Sequence, residues 1–93
     1  MKVTILGVDT ERDEAISFIR AKLERVRDRF KLDGSDIDVW LRDTNGPRGG
    51  IDQECSIRVT RARQMPVVVK CRHSSVRSAV LGAICRLRRA IAR

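Results

Sequence analysis

The sequence predicts an α+β fold in which two helices pack on one face of a four-stranded, mainly antiparallel sheet. Two stretches repeat apolar residues at steps of three and four, as on one face of a helix. Three other stretches largely alternate apolar with polar residues, as half-buried strands do. A short apolar stretch near the start of the chain predicts one further strand. The resulting order is β-α-β-β-β-α. Each strand has one apolar row and each helix one apolar stripe, so a single sheet covered on one face buries them all.

The first strand and the first helix lie within residues 3–31. Residues 3–6 are mostly apolar and lead into Gly7, which ends the strand. Asp9-Thr10 offers a helix N-cap, with Asp13 in the capping-box position. The helix is predicted over residues 11–31, before Asp33-Gly34. Its predicted core face consists of Ile16, Ile19, Leu23, Val26 and Phe30.

Three further strands follow, with connections at residues 45–50 and 61–65. Residues 37–42 and 55–60 alternate apolar and polar side chains, and Pro66 opens a last strand that runs to Cys71. The predicted inward rows are Ile37, Val39 and Leu41, then Cys55, Ile57 and Val59, then Val67, Val69 and Cys71. The opposite, open face of the sheet is expected to show Thr4, Trp40, Arg42, Arg58, Thr60, Lys70 and Arg72.

The last predicted element is a second helix, which Ser74 or Ser75 can cap. Its apolar face is predicted to be Val76, Val80, Ala83, Ile84, Leu87 and Ile91. Arg86, Arg89 and Arg93 step by three and four on roughly the opposite face, and Gly82 is expected to leave that face bare one turn earlier. No internal repeat or linker is visible, so residues 1–93 are expected to form a single domain.

The positive charge is concentrated after Pro47. The chain carries 20 Lys+Arg against 12 Asp+Glu, a formal net charge of +8. Residues 1–47 hold nine basic and ten acidic residues, whereas residues 48–93 hold eleven basic and two acidic ones. This asymmetry favours a polyanionic partner, because the arginine fork grips phosphate oxygens in pairs. A basic surface that only keeps the protein soluble is the alternative.

The composition argues against several classes of protein. Hydrophobic residues make up 42% of the chain, which is enough for a packed core and too much for a disordered tail. The three aromatic residues are fewer than a protein that stacks successive bases would need. No apolar run reaches the length of a membrane span, and the N-terminus does not resemble a signal peptide. A cytoplasmic location is therefore expected.

The three cysteines form no C-x-x-C pair, which indicates a reducing compartment rather than a disulfide framework. Cys55, Cys71, His73 and Cys85 are too widely spaced for a zinc module, so neither a metal nor a cofactor is expected. Cys55 and Cys71 are expected to be small, mostly buried apolar residues, and the burial of Cys85 is left open. His73 is expected at the surface or at the entry to the last helix.

No nucleophile–base pair or paired-carboxylate site argues for an enzyme. Asp36 and Asp38 are interpreted as a solvated strand edge. The glycine-rich stretch 45–50 is expected to be a plain hairpin loop, the alternative being a loop that approaches a phosphate with Arg48 at its tip. Trp40 is expected to cover apolar surface beside a neighbouring strand, the alternative being stacking on a base.

Three stretches carry a resemblance that covers nearly all 93 residues. They are AISFIRAKL at 15–23 in the first helix, NGPRGGIDQEC at 45–55, and the basic end RLRRAI at 86–91 of the last helix. The stretch at 45–55 is the most specific. Together with the element order, these stretches make the sequence resemble the short form of the ribosome hibernation-promoting factor family, also known as ribosome-associated inhibitors or subunit-interface proteins.

The resemblance implies a domain akin to double-stranded RNA-binding folds. Members of the family bind the small ribosomal subunit in the cleft where messenger and transfer RNAs pass, and silence idle ribosomes by occupancy without performing chemistry. The resemblance thus implies a translation inhibitor of stress or stationary phase, with the small subunit and its rRNA as partners and neither a membrane nor a small-molecule substrate. A general RNA- or DNA-binding module of the same fold and a protein-interaction adaptor are the alternatives.

The candidate RNA-binding residues have two origins. By position in the family, Lys22 and Arg25 match basic sites of the first helix, and Arg86 and Arg89 match those of the last helix. The charge distribution adds Arg48, Arg58, Lys70, Arg72 and Arg93. Where the family often has a Tyr-Ala-Ala-Ile-Asp run, this chain reads RSAVL at 77–81. Long members carry a further C-terminal domain that pairs ribosomes, and no dimerisation through such a domain is expected here.

Overall fold

The computed structural model describes residues 2–7, 12–32, 34–43 and 53–92. The predicted order β-α-β-β-β-α is confirmed. The elements are β1 Lys2–Leu6, α1 Arg12–Phe30, β2 Asp36–Asp43, β3 Gln53–Thr60, β4 Val67–His73 and α2 Val76–Ala92. The predicted cap at Asp9-Thr10, the stretch 45–50 with Arg48, and Arg93 lie outside the described residues. Neither helix, over its described length, is long and apolar enough to cross a membrane.

The four strands form one sheet in the order β1-β2-β3-β4. The β1–β2 pair is parallel, because α1 returns the chain to the same end of the sheet, and the other two pairs are antiparallel. The register aligns the inward-facing apolar residues of neighbouring strands: Val3 pairs with Ile37, and Val39 pairs with Ile57. The mainly antiparallel sheet of the prediction is therefore confirmed. Asp36 and Asp38 lie on an interior strand, so their interpretation as a strand edge is wrong.

The core lies between one face of the sheet and the two helices. The predicted inward rows of β2 and β3 are fully or almost fully buried, and the core stripes of both helices pack against them in one cluster. Ala79 is also buried there, although its small side chain gave no hydrophobic signal. On β4 only Cys71 is buried, and Val67 and Val69 are half-buried, because this strand lies at the edge of the sheet. The opposite face of the sheet has no layer over it among the described elements.

α1 ends in a backbone hydrogen-bonded cap in which a lysine takes the left-handed position that glycine often occupies. Lys31 adopts a left-handed conformation with φ 56°, and the Leu32 N–H donates to the Arg27 carbonyl oxygen at 3.1 Å. This is the arrangement of a Schellman cap, with the buried Leu32 as its hydrophobic contact. The Ser35 N–H then donates to the Leu32 carbonyl at 3.0 Å, which directs the chain into β2.

Ser75 begins α2, because its Oγ accepts the Ser78 backbone N–H at 3.1 Å. Gly82, about two turns further on, lies against β4: a Cβ atom there would overlap the Cys71 Sγ. The prediction that Gly82 leaves the solvent-facing side of the helix bare is therefore wrong. The buried Ala79 and Ala83 flank it, so the small-residue side of the helix is the side that approaches the sheet closely.

Candidate nucleic-acid interface

A groove of about 400 Å³ runs between α1 and α2 on the outside of the molecule. Helical periodicity brings Lys22, Arg25 and Arg29 to one side of α1, since they are spaced by three and four. These cations and Arg88 of α2 surround a partly apolar floor. The lining residues are Lys22, Arg25, Val26, Arg29, Leu81, Ile84, Cys85 and Arg88. No carboxylate is among these described lining residues, so the groove gathers four cations on one concave surface.

Phe18 of α1 extends this basic surface toward the start of α2. The Arg77 guanidinium carbon lies 4.5 Å from the centre of the Phe18 ring, and the Lys22 Nζ lies 5.6 Å from it. Both distances fall within the range of a cation–π contact. Phe18 thus holds one cation from each helix and keeps both close to the groove. We define the helix groove as its lining residues; Phe18 and Arg77 adjoin it through Lys22.

The helix groove contains two of the predicted RNA-binding residues, Lys22 and Arg25. The predictions missed Arg29 and Arg88, although Arg29 follows Arg25 by one helical turn and the same stepping could have identified it. Arg88 was harder to identify. Its relation to α1 depends on how α2 is rotated about its axis, and that rotation is set by the approach at Gly82.

Arg86 occupies a different place from Lys22 and Arg25. Its Nη1 donates a hydrogen bond to the carbonyl oxygen of Lys70 on β4. Arg86, Lys70 and Arg72 also line a small cavity of about 280 Å³ beside the buried Cys71. Arg86 therefore covers part of the exposed edge of the sheet, whereas Arg89 is exposed in the last turn of α2. Neither Arg86 nor Arg89, the predicted pair from the last helix, lines the helix groove.

The open face of the sheet carries Arg58, Lys70 and Arg72, as predicted, but it also carries carboxylates. Glu54 of β3 lies between two arginines of the neighbouring strands. Its Oε1 is 3.3 Å from the Arg42 Nη2, and its Oε2 is 3.5 Å from the Arg72 Nε. The predictions missed Glu54 because the pairing follows from strand register and not from sequence spacing. Arg72 therefore has an ion-pair partner within the protein.

A second cavity, of about 750 Å³, lies on this open face. Trp40 of β2 and Lys70 of β4 stand on either side of Ser56 of β3, because the three residues are register partners in one row. Trp40 is 39% exposed. On its other side it pairs with Leu6, so the expectation that it stands beside an apolar neighbour holds in part. The lining residues are Gly7, Trp40, Leu41, Arg42, Glu54, Ser56, Arg58, Val68 and Lys70.

The cysteines and the histidine are dispersed among these regions. Cys55 and Cys71 are buried opposite each other on β3 and β4, and burial, with Cys71 nearby, raises the pKa of the Cys55 thiol to about 12. Cys85, whose burial the sequence left open, is exposed in the helix groove. His73 is exposed at the junction of β4 and α2, where its Nδ1 accepts the Ser74 N–H at 2.9 Å.

Comparisons with known proteins bear on the fold. No protein-family model and no curated protein matches the sequence. Among solved structures, the N-terminal domain of Protein Y from Thermus thermophilus superimposes with a TM-score of 0.75 and 18% identity, over 97% of this chain and 91% of that one. A ribosomal subunit interface protein from Coxiella burnetii superimposes with a TM-score of 0.71 and 14% identity, over 98% and 91% of the two chains. The chain has the fold of these proteins. The fold that the resemblance implied is therefore confirmed.

Proposed function

We propose that this protein is a ribosome-associated translation inhibitor that binds the small ribosomal subunit through its rRNA and silences idle ribosomes in the cytoplasm. One observation carries the proposal: a chain folded like a ribosomal subunit interface protein has a helix groove with four cations and no carboxylate among its described lining residues. Inhibition would follow from occupancy, with no chemical step. Residues 1–93 act in this proposal as one RNA-binding domain.

The helix groove suits the phosphate backbone of folded RNA. Arginine presents two parallel N–H donors to a phosphate, and three of the four groove cations are arginines. The deep groove of A-form RNA hides its base edges, so recognition relies on phosphate positions and shape. Affinity then comes largely from released counterions and falls steeply with salt. Of the predicted candidates that do not line the groove, Arg48, Arg89 and Arg93 are retained as further phosphate contacts.

Co-sedimentation with purified small subunits tests the proposal. The protein is expected to pellet with the subunits at low salt and to be released as salt rises. The variant Arg25→Glu should weaken binding by about tenfold or more, because it places a carboxylate against phosphate. Arg20→Glu is the matched control, since Arg20 is an exposed arginine of the same helix that does not line the groove. Equal losses for both variants would contradict a specific role for the groove.

Competition with free RNA separates the proposal from a general RNA-binding module. An unrelated RNA duplex should displace the protein from subunits only at a much higher concentration than the subunits themselves. Equal competition by the duplex would favour the general module. Retained association in an extract after nuclease treatment would favour a protein partner. Either of these results would overturn the proposal.

Cys85 provides a probe of the same surface in the unmodified protein. It is exposed in the helix groove, whereas Cys55 and Cys71 are buried. A maleimide should therefore modify Cys85 in the free protein and leave the two buried thiols unmodified. Bound small subunits should slow this reaction by about tenfold or more, as expected for a contact that excludes solvent. An unchanged rate in the complex would place the binding surface elsewhere.

A further inference from the structure

We infer that the open face of the sheet is a second nucleic-acid site, which binds a short segment of single-stranded RNA with one base stacked on Trp40. Its phosphates would lie on Lys70 and Arg58. This site is separate from the helix groove, because the sheet and the core lie between them. The inference goes beyond the proposed function, which assigns no role to the open face of the sheet.

The strand register builds the site. Trp40, Ser56 and Lys70 form one row across three adjacent strands, so the ring and the ammonium group rise from strands about 9–10 Å apart. Ser56 between them is small, which leaves the depression that forms the 750 Å³ cavity. A base lying on the indole ring would place its ribose over Ser56 and a phosphate near Lys70.

The cations at and beside this cavity differ in whether they have an ion-pair partner. Glu54 holds Arg42 and Arg72 at one end of it. Within the described residues, Arg58 and the Lys70 ammonium group have no ion pair or side-chain hydrogen bond. Arg58 follows Ser56 by two positions on β3, so it lies on the same face, about 7 Å along the strand. Two unengaged cations beside one exposed aromatic ring favour a phosphate-linked base as the occupant.

The edge of β4 argues against an added peptide strand as the occupant. A peptide joining this sheet would need the free carbonyl groups of the edge strand. Arg86 already occupies the carbonyl oxygen of Lys70, in the middle of β4. Leu6, 47% exposed, lies on β1 beside the ring, whereas Val68, 57% exposed, lies on β4 with Ser56 and Arg58 of β3 between. The two apolar side chains therefore do not form a continuous patch. Single-stranded RNA therefore fits the face better than a protein segment does.

Intrinsic fluorescence tests the inference directly, because Trp40 is the single tryptophan and the chain has no tyrosine. Titration with a short unstructured RNA such as hexauridylate should quench the emission in a saturable way. The variant Arg58→Ala/Lys70→Ala should weaken the binding measured from quenching by about fivefold or more at low salt. The control variant Lys22→Ala/Arg25→Ala alters the helix groove and should leave the quenching curve within twofold of wild type.

A fluorescein-labelled hexauridylate measured by anisotropy extends the test to variants without the indole ring. Trp40→Leu should lower affinity by about tenfold, and Trp40→Phe should recover part of it, since stacking requires an aromatic face. Thermal melts of both variants verify folding. Absent quenching, equal binding by uridine monophosphate or by inorganic polyphosphate, or a loss caused by the groove variant alone would each overturn the inference. None of these results depends on ribosome binding through the helix groove.

Discussion

The helix groove and the open face of the sheet are both basic, but their charges are organised differently. In the groove, Lys22, Arg25, Arg29 and Arg88 surround an apolar floor, and no carboxylate is among the lining residues. On the sheet, Glu54 bridges two arginines, and Asp38 faces Arg58 across the strands. The groove therefore concentrates positive potential, whereas the sheet mixes signs around a few unengaged cations and one exposed ring.

The difference follows from the geometry of the two kinds of element. A helix gathers residues three and four apart on one side, so an arginine-rich sequence produces a stripe of like charge. A sheet sets residues from distant parts of the chain opposite each other. Asp38 of β2 thus faces Arg58 of β3, and Glu54 lies between two arginines of the neighbouring strands. Net charge by itself does not distinguish these outcomes. The following predictions compare the two regions directly.

The largest expected difference is in the salt dependence of ribosome binding. Replacing both Arg25 and Arg88 with alanine should reduce the slope of log affinity against log salt by about two, one for each lost phosphate contact. Replacing Arg42 and Arg72 with alanine should change the slope by less than about one half, because Glu54 already neutralises them in part. Equal changes in slope, measured by sedimentation across a salt series, would show that the two surfaces contribute alike.

The next prediction concerns the contact between Gly82 of α2 and Cys71 of β4, which joins the helix layer to the sheet. Gly82→Ala should lower the free energy of unfolding by about 2 kcal/mol, because the new Cβ atom overlaps the Cys71 Sγ in a packed interface. Cys71→Ala removes that sulfur, so the double variant should be about 1 kcal/mol more stable than the sum of the single effects predicts. Urea denaturation of the four proteins measures this coupling. Strict additivity would show that the helix moves away from β4 instead.

The last prediction concerns the buried thiols between the two regions. The pKa of Cys55 is raised to about 12 in the folded protein, from 9.0 for a free thiol. Between these values the unfolded chain loses the proton and the folded protein keeps it, so stability declines as pH rises above 9. The decline attributable to this group should approach about 1 kcal/mol per pH unit. Cys55→Ala should flatten the dependence, and an unchanged slope from pH 9 to 11 would contradict it.

Much of the fold could be predicted from the sequence, because the signals are local. Alternation placed Val39 and Ile57 in the core, and stepping by three and four placed Leu23 there. Two of the helix-groove cations followed from family position, and a third follows the same helical stepping. Glu54 could not be assigned in this way. Its partners are 12 residues before it and 18 after it, and only the strand register brings them together.

The sequence by itself determined the element order, the buried faces and the excess of positive charge in the second part of the chain, since each depends on residue type and short-range periodicity. Tertiary structure decided which charges share a surface. The rotation of α2, set where Gly82 meets Cys71, places Arg88 in the groove and Arg86 at the sheet edge. Strand register in turn sets Trp40 beside Ser56 and Lys70. Both arrangements depend on contacts between residues distant in sequence, which local patterns do not encode.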